Sequence, residues 1–379
     1  MQNNLFEFQQ RPVNGRRVKQ ARELRALTQG ALADAIGVDQ TMIAHIERAT
    51  KQPSADVLEG LTTELNFPKN FFYQESSPEF PRGSLLFRAK SGVGKRIVAQ
   101  AHAHAEIAFE MVLRLSVAVS LVPVRLASST DPIEGARQTR AVMCTPPGPL
   151  PEFIRAIERL GVLIIPLPDL PGCEAFAVWA GPAREYPVIG LVVERAHDRI
   201  RMSAAHELGH LVLHRSLSGG TQDMETQAYR FAAELLMPAK DIAEDLRSEK
   251  LNIFRLAALK QKWNVSMQAL ARRARDLQVI SDRQYSYLMR QMSMKGWRTE
   301  EPTWAPQQVE KPRALRKLLE VAFGSPIKIN RVAKDLNVSE SFVKSILDMC
   351  AAAPGEHAVQ RKNSNRGGVV PFGRRKGHG

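Results

Sequence analysis

The stretch LTQGALADAIGVDQTMIAHIE, residues 27–47, decides how the first part of the chain folds. Its apolar residues recur at helical spacing on both sides of a Gly37-Val38 turn. Thr28 and Asp39 are good N-cap residues for two short helices, and Gly37 is a favourable stop for the first of them. The pattern predicts two short helices joined by a tight turn, which is the arrangement of a helix-turn-helix.

Two more helices are predicted around this pair. Upstream, the apolar residues between Val18 and Leu24 recur at helical spacing. Downstream, the run PSADVLEGLTTELNFP, residues 53–68, predicts a helix that begins near Ser54. The sequence therefore predicts an all-α unit over residues 11–72.

This unit resembles the Cro/repressor (XRE) class of helix-turn-helix domains. The residues that carry the likeness are Leu27-Thr28-Gln29, Leu32-Ala33, Gly37-Val38, and Ile43 to Ile46-Glu47. The resemblance implies that the second helix of the pair enters the DNA major groove. It places Gln29 near a phosphate. The groove-facing residues that it implies are Asp39, Gln40, Thr41, Ala44 and His45.

A basic flank precedes the two-helix pair and is expected to attract phosphates. Its members are Arg11, Arg16, Arg17, Lys19, Arg22 and Arg25. The whole chain has 53 Lys and Arg against 39 Asp and Glu, a formal net charge of +14, which favours a polyanionic partner. Six of these charges follow Glu356, so the excess is concentrated near the two ends. The alternative is a set of solvated charges on a small helical bundle.

The class of protein is also limited by what the sequence lacks. Its 379 residues suffice for two or three domains. The longest apolar stretch, Ile107–Val122, contains Glu110 and Arg114, which favours a buried amphipathic helix over a membrane span. The three cysteines form no CxxC pair, and the first residues lack a signal-peptide pattern. We therefore expect a cytoplasmic protein that does not associate with membranes.

The middle of the chain predicts a small sheet packed beside helices. Helical patterns cover residues 95–122, 132–142 and 151–160. Three short runs rich in Val and Ile follow, each with the length of a strand and separated from the next by Pro or Gly. These runs are Val162–Ile165, Ala175–Trp179 and Val188–Val193.

The stretch HELGHLVLH, residues 206–214, carries the residues that point to metal chemistry. His206 and His210 are four residues apart, so on a helix their imidazoles leave the same face within one turn. Two neutral imidazoles in this geometry can hold one zinc ion. Glu207 is placed to accept the proton of an attacking water without being a ligand. This HExxH motif predicts a hydrolytic zinc site.

A third ligand is available on the next predicted helix, METQAYRFAAELLMP at residues 224–238. Glu225 lies at the start of the inward face of this helix. Two histidines and one carboxylate leave the fourth zinc position open for water, as a hydrolytic site requires. His214, Asp223 and Glu234 are competing candidates. We expect His214 to support the ligands or to pack, and Glu234 to point away.

Residues 206–238 resemble the ImmA/IrrE family of zinc metallopeptidases. The likeness is carried by His206-Glu207-Leu208-Gly209-His210, His214-Arg215, Glu225-x-x-Ala228 and Phe231 through Pro238. The resemblance implies a zincin-like domain with Zn²⁺ bound by His206, His210 and Glu225. It implies that Glu207 is the general base. The family usually has Glu-Ala-Asn where this chain has Gln227-Ala228-Tyr229, and the larger Tyr229 can change the shape of the cleft.

The last third of the chain is predicted to be helical. Within it, IKINRVAKDLNVSESFVKSIL, residues 327–347, has a two-helix rhythm with Asn337-Val338-Ser339 at the turn. This second pair is either another DNA contact or a unit for helical packing or dimerisation. After it, the Gly-, Arg- and Lys-rich tail is expected to be disordered.

The fold class predicted for the whole chain is α+β and mostly helical. The domains expected are a helix-turn-helix domain at 11–72, a linker at 73–96, a metallopeptidase-like domain with a small sheet at 97–245, a helical C-terminal region at 246–353 and a basic tail at 354–379.

Together these features predict a transcriptional regulator that binds a double-stranded DNA operator. Its peptidase domain would cleave a repressor-like protein or the chain itself. A homodimer is expected, because paired operator half-sites mirror a two-fold protein. One alternative is a non-enzymatic sensor whose peptidase-like cleft binds a metabolite or peptide. Another is an antitoxin-like protein that captures a partner through its C-terminal helices.

Overall fold

The computed structural model describes residues 11–75, 80–81, 94–215, 221–298, 300–302 and 309–352. The fold is 59% helical with a single three-stranded sheet in the described residues, so the predicted α+β class is confirmed. Most of the predicted linker and the predicted tail at 354–379 lie outside the described residues. No helix in the described part of the chain is long and apolar enough to cross a membrane.

The first five helices form a compact unit over residues 11–75, which we call the head. Thr28 caps the second helix, because its hydroxyl accepts a hydrogen bond from the backbone N–H of Ala31. Gly37 ends that helix with a φ of +70°, a conformation that glycine adopts without strain. Asp39 precedes the third helix as predicted, but its side chain makes no capping hydrogen bond. The five helices are α1 (Gly15–Leu24), α2 (Gln29–Ile36), α3 (Gln40–Glu47), α4 (Ala55–Leu65) and α5 (Lys69–Phe72).

A long helix, α6 (Lys95–Ser116), supports both the head and the sheet. One side of α6 packs against α1, and another packs against the first strand. The predicted helix reached residue 122, but the observed one stops at Ser116. The residues before Pro123 are not helical, because a proline disfavours helical backbone at the residue that precedes it.

The sheet contains β1 (Leu163–Leu167), β2 (Ala175–Ala180) and β3 (Tyr186–Val192), close to the three predicted strands. β3 lies in the middle, parallel to β1 and antiparallel to β2. Nearly every strand residue is buried, since helices cover the sheet. This burial explains the continuous apolar runs in the sequence.

Four further helices complete the central part of the fold. They are α7 (Pro132–Val142), α8 (Phe153–Arg159), α9 (His197–Leu213) and α10 (Gln222–Leu236). α9 packs on β2 and β3, and α10 packs on α9 and α7. We call the sheet together with α6, α7, α8, α9 and α10 the body.

The C-terminal part of the described chain returns to the body. Its helices are α11 (Ala239–Arg247), α12 (Ile253–Trp263), α13 (Met267–Asp276), α14 (Asp282–Met294), α15 (Ala314–Phe323), α16 (Ile329–Leu336) and α17 (Glu340–Met349). Both α15 and α17 pack on β1. The predicted two-helix rhythm is therefore confirmed as α16 and α17, with Asn337 in the left-handed conformation at the turn.

Candidate metal centre and DNA-binding surface

Two helices bring three potential metal ligands together. His206 and His210 lie on the same face of α9, and their Nε2 atoms are 3.2 Å apart. Glu225, in the first turn of α10, places one carboxylate oxygen 3.2 Å from His206 Nε2 and the other 3.1 Å from His210 Nε2. These three residues are the one group in the described chain whose His, Cys, Asp or Glu atoms converge in this way.

The spacing of the three donors fits a zinc ion. A tetrahedral ion with metal–ligand bonds of about 2.0–2.1 Å holds its ligand atoms about 3.3 Å apart. The observed separations of 3.1–3.2 Å are close to that value. The side chains of His206 and Glu225 keep 15% and 16% exposure, which leaves an open side for a further ligand.

The environment of Glu225 keeps its carboxylate charged. Burial raises the pKa of the Glu225 carboxyl, but the contacts with His206 and His210 outweigh burial and hold the pKa well below its ordinary value. An ionised carboxylate beside two imidazoles is the donor set that Zn²⁺ uses in hydrolytic sites.

Close packing between α9 and α10 sets the distance between the ligands. A Cβ atom added at Gly209 would lie 3.0 Å from the Phe231 ring and 3.2 Å from Ala228 Cα. Glycine at 209 and alanine at 228 therefore let the two helices approach closely. The other side of α9 is tied to the sheet, because Trp179 Nε1 donates a hydrogen bond to the carbonyl of Leu211.

The predicted general base, Glu207, lies on α9 between the two histidine ligands in sequence and is 1% exposed. Carboxylates are almost never buried to this degree without a polar or charged partner. Glu207 directly follows His206 in the sequence, and it is not one of the three residues whose donor atoms converge.

The three competing ligands lie elsewhere. Asp223 is exposed. Glu234 is buried, forms an ion pair with Arg273 and accepts hydrogen bonds from the backbone N–H of Ala239, so it points away as expected. His214 lies one turn beyond His210, and its Nδ1 is 3.1 Å from His210 Nδ1. His214 thus contacts the predicted ligand His210, and its supporting role stays a prediction.

Tyr229 contacts the C-terminal helices. The Arg272 guanidinium lies 3.5 Å above its ring. Burial raises the pKa of the Tyr229 hydroxyl to about 12. The ring packs against Arg272 of α13, and the expectation that Tyr229 changes the cleft stays a prediction.

The exposed surface of α3 is the candidate DNA-binding face. Gln40, Thr41 and His45 are exposed, and Asp39 is exposed just before the helix. The Gln29 amide is half-buried and donates a hydrogen bond of 2.8 Å to Glu47 at the end of α3. This contact ties the start of α2 to the end of α3.

Two residues of the predicted DNA surface are corrected by the structure. Arg17 is only 3% exposed, and its Nη1 donates to both carboxylate oxygens of Glu110 at 2.6 Å. It therefore anchors the head to α6 and does not face DNA. Ala44 is 9% exposed, because its methyl group lies on the inner side of α3.

The basic flank is divided in the same way. Arg22 is buried and forms an ion pair with Glu47, and Arg25 donates to the carbonyl of Leu65 and stacks on Phe67. The members that remain exposed are Arg11, Arg16 and Lys19. The sequence could not distinguish these two groups, since arginines that face another part of the chain have the same spacing as those that face solvent.

Taken together, the fold and the sites define a DNA-binding regulator joined to a metallopeptidase-like domain. Comparisons with protein families agree. Residues 18–72 match the family described as helix-turn-helix, and residues 157–275 match the IrrE N-terminal-like domain. No curated protein matches the chain. The chain thus joins an XRE-type helix-turn-helix domain to an ImmA/IrrE-like domain, in the predicted order.

Proposed function

We propose that this regulator carries an active zinc-dependent peptidase, which cleaves a repressor-like protein or the chain itself. The observation that supports the proposal is the cluster of His206, His210 and Glu225, with donor atoms 3.1–3.2 Å apart and an open side. These three residues would hold the ion. A bound zinc ion supplies a Lewis acid that activates water and polarises a peptide carbonyl.

Glu207 performs the proton transfers in this proposal. Its carboxylate accepts the proton of the attacking water and later delivers it to the leaving amine. Burial at 1% exposure favours this role, because a carboxylate held in a site of low dielectric is positioned in advance and is not solvated by bulk water. Glu225 holds its negative charge close to both histidines and keeps them in place.

The head supplies the DNA-directed part of the function. α3 inserts its exposed face into the major groove of a double-stranded operator, and the exposed Arg11, Arg16 and Lys19 attract phosphates. A homodimer would present two such heads to paired half-sites. Cleavage of the substrate in the cytoplasm then changes the state of the promoter.

Metal content and cleavage test the peptidase proposal together. The wild-type protein is expected to contain about one zinc ion per chain, and His206→Ala to lose it. Glu207→Gln should keep zinc but lose cleavage of the substrate by about 100-fold or more. Glu194→Gln, at an exposed glutamate of the same domain, is the matched control and should cleave normally. Wild-type protein without zinc, or a fully active Glu207→Gln variant, would contradict the proposal.

The second candidate function is a sensor without catalysis, and the anchoring of the head favours it. Arg17 of α1 and Glu110 of α6 form a buried pair, and α6 also packs on β1, which pairs with β3, the strand against which α9 packs. Binding of a ligand in the cleft therefore has a packed route to the head. For a sensor, Glu207→Gln should leave promoter regulation unchanged, whereas His206→Ala should alter DNA affinity.

A further inference from the structure

A chain of two hydrogen bonds runs outward from the metal cluster. His210 Nδ1 lies 3.1 Å from His214 Nδ1, and His214 Nε2 lies 2.9 Å from Gln227 Oε1. His210 and His214 are each 8% exposed, so water does not compete strongly for these contacts. His210 lies in the last turn of α9, His214 directly follows that helix, and α10 supplies the amide.

Only one arrangement of protons satisfies this chain when His210 binds a metal through Nε2. A ligating nitrogen must keep its lone pair, so the single proton of a neutral His210 resides on Nδ1. The 3.1 Å contact between the two Nδ1 atoms is a hydrogen bond when His214 Nδ1 accepts that proton. His214 must then carry its own proton on Nε2 and donate it to the carbonyl oxygen of Gln227. Every donor in the chain meets an acceptor.

We propose that His214 and Gln227 are positioning residues that fix the tautomer and ring orientation of His210. The proposal rests on the proposed zinc binding and concerns the residues behind the ligand. Hydrogen-bond partners of this kind hold ligating histidines in one orientation, and their loss typically weakens metal binding about 10–100-fold.

The identity of residue 227 supports this role. The side chain at this position is a glutamine, whose amide has both an acceptor and a donor. An amide keeps one carbonyl oxygen that accepts a hydrogen bond, and that oxygen is the atom 2.9 Å from His214 Nε2. The amide adds no negative charge, so Glu225 remains the acidic group of the cluster.

The test removes the acceptor without removing the side chain. Gln227→Met has a similar length but no strong acceptor, and zinc affinity measured by chelator competition should fall about 10–100-fold. Gln227→Glu restores an acceptor oxygen and should bind zinc within about threefold of wild type. Gln222→Met, at an exposed glutamine of the same helix, is the matched control and should have no effect.

A spectroscopic measurement tests the proton arrangement directly. ¹⁵N NMR of the zinc-loaded wild-type protein should show His214 protonated on Nε2 and not on Nδ1. Full zinc affinity in Gln227→Met, or a proton on His214 Nδ1, overturns this inference while leaving the zinc site itself intact. If the wild-type protein binds no zinc, the proposed function fails instead.

Discussion

The two helix-turn-helix pairs of this chain share one turn and differ in their surroundings. In each pair an eight-residue helix, α2 or α16, ends at a residue in the left-handed conformation. A valine and an N-cap residue follow, and then the second helix begins. Even the hydrogen bonds correspond, because Val38 N–H donates to Ala33 and Val338 N–H donates to Ala333, both at 3.0 Å.

What differs is the helix that attaches each pair to the body. The head is attached through α1, by the buried pair of Arg17 and Glu110, so the outer face of α3 stays exposed. The second pair is attached through its own second helix. Phe342 of α17 packs on the His104 ring, and Ser341 accepts a hydrogen bond from Asn66 of the head. The turn sets the local shape, and the attachment decides which surface remains free for DNA.

This comparison favours the packing interpretation of the second pair. The first turn of a recognition helix is the part that enters the groove. Thr41 of α3 and Ser341 of α17 are both exposed, but Ser341 also accepts a hydrogen bond from Asn66 of the head. We therefore expect α3 to read DNA and α17 to hold the C-terminal end against the body.

The largest expected effect comes from breaking the attachment of the head. Arg17→Ala leaves Glu110 buried without its guanidinium partner, and the loss of one member of a buried pair costs about 3–5 kcal/mol. Chemical denaturation of the full chain should show this decrease in the free energy of unfolding. Arg16→Ala, at the exposed neighbour, should change it by less than about 0.5 kcal/mol. Equal effects at the two positions would mean that the pair does not anchor the head.

The attachment of the second pair should depend on pH through His104. Burial lowers the pKa of His104 to about 4 from 6.5, although its hydrogen bond to the Pro166 carbonyl opposes the shift. The unfolded chain then binds a proton that the folded chain does not, so stability falls as the pH drops from about 6.5 to 4.

The size of this pH effect follows from the shift. The decrease attributable to His104 is about 3 kcal/mol over that range. Denaturation at several pH values should show it as the difference between the wild-type protein and His104→Gln, a variant with no titrating group. His45→Gln, on the exposed face of α3, should keep the wild-type pH dependence. If His104→Gln keeps the pH dependence of stability of the wild-type protein, then His104 is not the group that causes it.

DNA affinity tests which pair reads the operator. Combined Gln40→Ala, Thr41→Ala and His45→Ala substitutions in α3 should weaken binding about 100-fold or more, since each good base contact contributes about 1–3 kcal/mol. The matched set in α17, Glu340→Ala, Ser341→Ala and Ser345→Ala, should stay within about threefold of wild type. The probe is a duplex selected from random sequences by the wild-type protein. A larger loss of DNA affinity in the α17 variants than in the α3 variants would mean that the second pair reads the operator.

The smallest expected effect concerns the shared turn. Gly37 has a φ of +70°, and nothing lies within 4 Å of a Cβ added there, so only backbone strain opposes a substitution. Exchanging the two turn residues, Gly37→Asn and Asn337→Gly, should change stability by less than about 1 kcal/mol each. Gly37→Val should cost about 1–2 kcal/mol, because a β-branched residue strongly disfavours this conformation. Thermal unfolding of the single variants measures these differences.

Local chemistry explains why so much of the fold and of the site could be predicted. Glycine or asparagine at a turn and a hydroxyl at an N-cap act within a few residues, and the spacing of His206 and His210 sets their common face on any helix. Glu225 could be grouped with the two histidines for a similar reason, because it starts the inward face of the next helix.

Contacts between distant residues could not be predicted in this way. Arg17 was assigned to DNA because charge and helical spacing do not reveal that Glu110, 93 residues away, would bury it. The partners of His214 and of Tyr229 were missed for the same reason. His214 Nε2 meets Gln227 on another helix, and Tyr229 meets Arg272 on a third.

By itself, the sequence determined two matching helix-turn-helix pairs, a short apolar sheet and the face that His206 and His210 share, because each depends on periods and turns that act over a few residues. Only the tertiary structure decided that Arg17 is buried against Glu110 and that His214 lies between His210 and Gln227. Those outcomes depend on burial and on hydrogen bonds between distant segments, and they exist only once the helices have packed.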